Sequence, residues 1–542
     1  MNNNYGFSDT AVTVLKERYM HIKSDGTHET IPEMFRRVAD YLSEDKAQEY
    51  YQVMMSRDFL PNSPTLMNAG RKGMAAQLSA CYVLPIEDSM DGIFTSLHHQ
   101  AMIHKYGGGT GFNFSKLRPK GSRVNTTNGV ASGPVSFMEL FDVSTEKVMQ
   151  GGTRRGANMG ILNVDHPDIL EFISCKASDT KRLNNFNISV GMNDEFMQKV
   201  ENKTLNEHER EIWNAIINCA WENGDPGLVF FDEINRHNTT PELGELTATN
   251  PCGESPLLPF EACNLGSINL AHFITYDGQG EYFNGRGIDW PGLEHVTRIA
   301  VEMLNDVIDK NHYPIPEVTE AVNLTRKIGL GVMGWADMLC KLGIRYGSAE
   351  SLKLADEVMS FIQKVGHEQS AGRNTCVTCI APTGTISLIA GCSSGIEPHF
   401  ALEYDRIAFD KENRTILHYV NEDYEEACVN HDERLDNNVF VTAHEINYLE
   451  HIDMQAAFQK YTDLAVSKTI NLPNEATKQD VERAYLYAWM KNCKGITVYR
   501  DGSRDTQVLI AGEECPECGA KAVIYESGCK KCTQCGWSPC SV

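Results

Sequence analysis

Asn250-Pro251-Cys252-Gly253-Glu254 and, shortly after it, Glu261-Ala262-Cys263-Asn264-Leu265-Gly266 are the stretches on which the reading of this chain turns. Pro251 has no backbone donor and biases Asn250 towards an extended conformation. In an extended segment alternate side chains share a face, so Asn250, Cys252 and Glu254 are expected to point the same way. An amide, a thiol and a carboxylate would then meet one small substrate. Cys263 follows the breaks at Pro256 and Pro259, close enough to return to the same pocket. Taken singly, a cysteine is usually a small buried hydrophobe. A thiol flanked two residues away on both sides by groups that bind and ionise departs from that default.

This stretch resembles the active site of ribonucleotide reductases and, in its Asn-Pro-Cys-Gly-Glu form, that of the adenosylcobalamin-dependent class II enzymes. The resemblance recurs over roughly residues 30–500 and in the tail. It implies an α/β fold, a ten-stranded barrel with the radical cysteine on a finger loop threaded through its centre. The implied organisation is a small helical region at 1–60, a catalytic barrel with specificity-site loops at 61–500, a linker at 501–514 and a Cys-rich tail at 515–542. The implied reaction converts a ribonucleotide to a 2′-deoxyribonucleotide through a thiyl radical on Cys252. Glu254 would serve as general base, Asn250 would hold the sugar, and Cys81 with Cys263 would be the reducing pair. A 2′-hydroxyl is a poor leaving group on an unactivated carbon; a cofactor carries such radical chemistry while the protein supplies position and protonation.

Composition agrees with an enzyme of this kind. At 542 residues the chain allows three or four domains, or one large barrel with small additions. Its formal net charge of −24 argues against wrapping nucleic acid through phosphates, although local donors still bind small anions. The start, Met1-Asn2-Asn3-Asn4-Tyr5, shows no basic-then-apolar signal, and no apolar run is long enough to span a bilayer. A soluble cytoplasmic protein without a membrane partner is expected. Of 17 cysteines, six lie within the last 28 residues, a distribution that suits reduced thiols better than a secretory disulfide framework.

Taken in order, Thr30-Ile31-Pro32-Glu33 is a capping-box pattern, and Met34, Val38, Tyr41 and Leu42 repeat with helical spacing. The family often carries an N-terminal ATP-binding activity domain; none is expected here. In Leu60-Pro61-Asn62-Ser63-Pro64-Thr65 the resemblance assigns Ser63 and Thr65 to substrate phosphate. Ser79-Ala80-Cys81-Tyr82-Val83-Leu84 reads as a strand bearing the first redox cysteine. Asp88 and Arg118, with the Gly/Ser/Thr-rich residues 121–133, resemble the allosteric specificity site. Arg154, Arg155 and Asn158 resemble its second loop, where glycines permit a change of shape and arginines offer planar donors. The Gly107–Gly111 run reads as flexible backbone, and residues 193–235 as amphipathic helix without chemistry. Gly329-Leu330-Gly331-Val332-Met333-Gly334 matches G-x-G-x-x-G formally, but it lacks a β-α-β context, and a close backbone crossing in a barrel strand is expected instead.

The second strong signal is Thr378-Cys379-Ile380-Ala381-Pro382-Thr383-Gly384-Thr385-Ile386-Ser387, a strand running into a hydroxyl-rich Pro/Gly turn and then a helix. Backbone N–H groups at a helix start make an anion cradle without lysine. The resemblance assigns Ala381, Pro382, Thr383, Gly384, Thr385 and Ser387 to the nucleotide phosphates. Cys376 and Cys379 form a C-x-x-C for which strand packing is expected. Gly395-Ile396-Glu397-Pro398 reads as a further loop near the site. Near the end of the barrel, Val498-Tyr499 departs from the Tyr-Tyr relay of class I large subunits. No glycyl-radical motif follows, so the resemblance points to adenosylcobalamin.

In the tail, Cys515-x-x-Cys518 and Cys532-x-x-Cys535, each followed by glycine, have a spacing suited to tetrahedral zinc. Cys529 and Cys540 are then left as the shuttle thiols that the family uses to re-reduce its active site. Cys529 also forms a C-x-x-C with Cys532, which leaves Cys535 and Cys540 as the alternative pair. The implied partners are a ribonucleotide substrate, a dNTP or ATP effector, a thioredoxin- or glutaredoxin-like reductant and a second copy in a homodimer. Two rival readings are a class I large subunit with a partner metalloprotein, and a zinc-ribbon nucleic-acid binder. Cys529→Ser or Cys540→Ser should lose turnover with a protein reductant yet retain much of it with a small dithiol. Equal losses with both reductants would remove the shuttle role.

Overall fold

The computed structural model describes residues 4–73, 75–124, 129–150, 154–177, 182–409, 414–503, 509–511, 513–514, 521–526 and 529–532. Ten strands form one sheet: β1 (Phe59–Pro61), β2 (Cys81–Val83), β3 (Gly109–Asn113), β4 (Asn158–Asn163), β5 (Phe186–Met192), β6 (Gly227–Phe230), β7 (Ala262–Asn269), β8 (Ile328–Met333), β9 (Thr469–Leu472) and β10 (Gly495–Arg500). β2 to β6 run parallel to one another in chain order. β7 pairs parallel with β8, and β9 pairs parallel with β10. The two parallel groups meet antiparallel at β2/β7 and at β6/β10. Single parallel bridges, Leu330 to Thr378 and Ile380 to Val466, close the ring through the 376–380 segment. The result is a barrel of two five-stave halves. β1 lies outside that ring, paired with the far end of β7.

The outer layer is helical, as α/β crossovers require. The helix Trp290–Lys310 shows the pattern: Leu293, Val296, Ala300, Leu304, Val307 and Ile308 are all buried on one stripe, and the helix packs against β7. The N-terminal region is three helices, Asp9–Arg18, Ile31–Leu42 and Ala47–Met55, and the expected capping box is made between Thr30 and Glu33. Residues 193–235 differ from the expected run of helix. Helices Asp194–Glu201 and Glu207–Asn223 form, but β6 follows them as a barrel stave. Its four residues are all buried, so no polar alternation marks it, and a short apolar run cannot be told from a helix by periodicity.

The finger is a short hairpin, Ala248–Thr249 against Pro256–Leu257, lodged inside the ring. Glycine makes the space for it. A Cβ on Gly111 of β3 would lie 1.7 Å from the Thr249 carbonyl oxygen, and one on Gly109 would lie 2.9 Å from Pro251 Cγ. The second part of the glycine run expected to be flexible is therefore a strand, from Gly109 on, whose missing side chains admit the finger. Gly331 of β8 likewise faces the Cys379 carbonyl, with 2.2 Å to a Cβ there, the close backbone crossing expected of that segment. A second, smaller apolar cluster fills the barrel interior with Cys81, Val83, Met159, Cys263, Leu265, Cys376 and Cys379.

No helix among the described residues is long and apolar enough to cross a membrane. In the tail, Cys515, Cys518, Cys535 and Cys540 lie outside the described residues, as do the side chains of Cys529 and Cys532, whose backbone forms the strand Cys529–Cys532.

The link from finger to β7 is fastened by a buried ion pair. Lys327 Nζ lies 2.7 Å from Glu261 Oε2, and each side chain is 1% exposed. The same oxygen accepts the Leu258 N–H at 2.7 Å. Removing one partner strands a charge in the interior, which costs about 3–5 kcal/mol, whereas replacing both by apolar residues is often close to neutral. Lys327→Met should therefore lower the thermal midpoint markedly, and Lys327→Met with Glu261→Met should recover most of it. Equal destabilisation of the single and double variants would refute this reading of the pair.

Candidate active site

At the finger tip the chain turns instead of remaining extended. Gly253 has φ +83°, its N–H donates to the Asn250 carbonyl at 3.1 Å, and Ser255 N–H donates to Asn250 Oδ1 at 2.9 Å. Asn250 thus caps its own turn, and Asn250, Cys252 and Glu254 do not share a face as an extended strand would have it. Asn250 and Glu254 are each 1% exposed, while Cys252 is exposed. The turn is held from both barrel halves. Asn187 of β5 donates to the Pro251 carbonyl at 2.8 Å, and Ala465 N–H donates to the Glu254 carbonyl at 2.9 Å.

Behind the turn stand the two remote cysteines. Cys81 and Cys263 are direct cross-strand partners in the β2/β7 ladder. Residues opposed in an antiparallel pair have Cα atoms about 4.5–5.5 Å apart, inside the range of about 4.4–6.8 Å that a disulfide requires. The two thiols differ in what they face. Asn250 Nδ2 lies 3.0 Å from Cys81 Sγ, and Cys81 Sγ lies 3.8 Å from Glu254 Oε1. Cys263 instead points its thiol at the Asn264 carbonyl, 3.4 Å away. Burial, and for Cys81 the neighbouring Glu254 carboxylate, pushes both thiols well above the usual range, so they stay protonated. Burial also pushes the Glu254 carboxyl up to about 7. Its Oε2 is buried without a hydrogen-bond partner, an acceptor left for a hydroxyl.

Cys252 opens on a cavity of about 1450 Å³. Pro382, Gly384 and Ser387 of the hydroxyl-rich turn line it as well. That turn is built tightly. Thr383 sits at φ +55°, its Oγ1 accepts the Gly395 N–H at 2.7 Å, and Ser387 Oγ bonds Ser394 Oγ at 2.9 Å. The loop of Gly395-Ile396-Glu397 is thus stitched to the turn, and Glu397 reaches back to Lys468 Nζ at 2.6 Å. Ala381 is buried, and Thr385 is the N-cap residue of the helix Ile386–Ala390. A pocket for a drug-sized ligand usually occupies about 300–1,000 Å³. This one exceeds that range, and Asn187, Ser189, Asn471, Thr497 and Tyr499 add amides and hydroxyls to its wall.

Other expected site residues are placed elsewhere. Thr65 is fully buried and gives its hydroxyl to Asn62 Oδ1 and the Leu78 carbonyl, because Asn62 caps the helix Ser63–Asn68 and draws Thr65 inward. Ser63 Oγ bonds Tyr19 OH at 2.7 Å, and neither residue lines the cavity. Asp88 is engaged by Arg118, with 2.8 Å from Nε to Oδ2. Asn158, expected on the second loop, is instead fully buried on β4, bonded to Gln100, Thr110 and Thr145. Arg154 and Arg155 form a two-residue strand against Met149–Gln150, and their side chains lie outside the described residues. Sequence reading missed Asn187, Ala465 and Cys379 as neighbours of the turn. Only the position of Cys379 next to the Ala381–Ser387 motif hinted at it.

Residues 79–208, 203–372 and 368–499 match the family model for the ribonucleotide reductase barrel domain, and residues 5–74 match that for the ribonucleotide reductase all-alpha domain. The chain is 46% identical to the vitamin B12-dependent ribonucleoside-diphosphate reductase of Thermoplasma acidophilum, over 93% of this chain and 72% of that protein. It is 43% identical to the protein of the same name from Mycobacterium tuberculosis strain CDC 1551, over 96% and 83%. A more distant relative, 26% identical over 90% of this chain and 58% of its own length, is the ribonucleoside-diphosphate reductase subunit alpha of Chlamydia pneumoniae.

The carboxylate of Glu254 is the form able to accept a proton, and its folded-state pKa is raised to about 7. Any turnover that uses it as base should therefore fall as pH drops through about 7 rather than through the ordinary carboxylate range. Glu254→Gln should remove that limb along with most of the rate. An acid limb below about pH 5 in the unaltered chain would contradict the buried-base assignment.

Proposed function

The chain belongs to the ribonucleotide reductase family, and from that membership we propose that it reduces ribonucleotides, as the diphosphates, to 2′-deoxyribonucleotides in an adenosylcobalamin-dependent reaction. The observation that carries the reading is the finger turn: it exposes Cys252 to the cavity while holding Glu254 and the Cys81/Cys263 pair directly behind it.

The cavity fits the cofactor the reading requires. It is larger than a nucleotide alone needs, and the amides and hydroxyls of Asn187, Ser189, Asn471 and Thr497 would hold the amide-rimmed corrin. When bound, adenosylcobalamin supplies the hydrogen-abstracting radical that the side chains of the protein lack.

The residues divide the remaining work by position. Cys252 Sγ, alone among the three site thiols in being exposed, exchanges a hydrogen atom with the 3′ carbon of the sugar. Glu254 Oε2, buried and without an internal partner, takes the proton of the 3′-hydroxyl. Cys81 protonates the departing 2′ oxygen, since it is the thiol that faces Asn250 and Glu254 and burial keeps its proton on. Loss of that oxygen as water, with two electrons from the pair, leaves Cys81 and Cys263 joined as a disulfide across the ladder. Backbone N–H groups of the 383–386 turn receive the phosphates, helped by the start of the helix Ile386–Ala390. A dNTP or ATP effector would bind beside Asp88 and Arg118, a thioredoxin- or glutaredoxin-like protein would restore the dithiol, and the working form would be a homodimer.

The test is product formation from ribonucleoside di- and triphosphates by the purified chain with a dithiol, with and without adenosylcobalamin. Deoxynucleotide that forms only with the cofactor, and best from diphosphates, is the expected result. Cys252→Ser should reduce turnover to background while nucleotide binding persists. Product formed without cofactor, or by that variant, would overturn the mechanism.

A further inference from the structure

We propose that Cys379 is a positioning residue for Glu254, fixing the general base through the main chain of the finger turn. The inference rests on the reductase reading above. Cys379 lies in the 376–380 segment that closes the barrel, and its N–H is bonded to the Leu330 carbonyl at 3.0 Å. Its thiol is fully buried and donates to the Glu254 carbonyl oxygen at 3.3 Å, with Ser255 Oγ 3.9 Å away. The same carbonyl accepts the Ala465 N–H at 2.9 Å. One main-chain oxygen is therefore gripped by donors from two neighbouring staves.

That grip matters because the carboxyl end of Glu254 is tied mainly to its own turn. Asn250 of that turn bonds it, the contact with Cys81 is long, 3.8 Å, and Oε2 has no partner. The direction of the carboxylate is thus inherited from the main chain beneath it. On the opposite side the turn meets the first barrel half by steric contact at Gly109 and Gly111 and through the Asn187 bond. On the second-half side Ala465 and Cys379 fasten the Glu254 carbonyl.

The site selects a thiol. A Cβ added to Gly329 would fall 3.0 Å from Cys379 Cβ and 3.4 Å from Cys263 Sγ, so the missing side chain opens the space in which these two cysteines sit. The surroundings are apolar, with Leu265, Ala381 and Leu464 in the same cluster. A small, weakly polar donor suits them. Burial pushes the Cys379 thiol well up, which keeps the donor proton in place. Alanine at this position would lose the donor and leave a void; serine would keep a donor.

Cys379→Ala and Cys379→Ser in the full-length chain, assayed with adenosylcobalamin and a dithiol, give the first readout. Cys379→Ala should lower kcat roughly tenfold with KM little changed, since small misplacements of a catalytic group cost about that much or more. Its acid limb should move below that of the unaltered chain, because a loosened Glu254 is better solvated and ionises more readily. Cys379→Ser should restore most of both. An unaltered kcat and limb in Cys379→Ala would overturn the proposal. So would a Cys379→Ser variant as impaired as Cys379→Ala with the limb unmoved, which would mark packing or a redox part for the sulfur. The second readout needs no turnover: the alkylation rate of exposed Cys252, followed by mass spectrometry. It should rise in Cys379→Ala and return in Cys379→Ser, and an unchanged rate would overturn the proposal. If the unaltered chain makes no deoxynucleotide, the reductase reading fails, while the alkylation rates still decide whether Cys379 clamps the turn.

Discussion

Everything at the centre of this barrel depends on the contact between Gly111 and the Thr249 carbonyl, where a methyl group would have to stand 1.7 Å from oxygen. A hairpin inside a ring of strands must displace the side chains that would otherwise fill it, because interiors are packed to crystal-like density. Two glycines on one face of β3 concede that volume, and the finger occupies it. The Cys252 thiol, the Glu254 carboxylate and the Cys81/Cys263 pair acquire their mutual positions from this one concession.

Polarity in the interior follows from the same arrangement. The buried flanks of the turn, Asn250-Pro251 and Glu254, cannot reach water, so their backbone groups are met by Asn187, Ala465 and Cys379 from the staves and by Asn250 from within. The carboxylate of Glu254 pays for its burial with a displaced ionisation, which places its proton affinity in the neutral range where a base is useful. A buried thiol beside it resists ionisation and keeps a proton to give away.

How much of this was legible in the sequence depended on the range of the signal. Thr30 to Glu33 was readable because a capping box is local, and the gathering of Asn250, Cys252 and Glu254 at one site was readable because the residues are adjacent. The crossing at Gly331 was foreseen from a glycine pattern without dinucleotide context. Long-range partners were not legible. Cys81 and Cys263 are opposed by strand register, which no spacing along the chain encodes. β6 was lost in a helix because burial on every face erased its alternation. The fate of Thr65 was decided by Asn62, whose side chain competes for the same hydroxyl that phosphate was expected to meet. Asn250 misled in another way: the proline after it favoured extension, but its own side chain closed the turn.

The burial of Cys81 and Cys263 limits what can reach them. Cys81 is 4% exposed and Cys263 not at all, and both belong to the continuous ladder of the barrel wall. A folded protein domain is far too wide to touch either sulfur while the ring is intact. Opening the ring would break the ladder that holds the two thiols opposed. Any agent that is to touch them in the intact ring must therefore be slender, of the girth of an extended peptide.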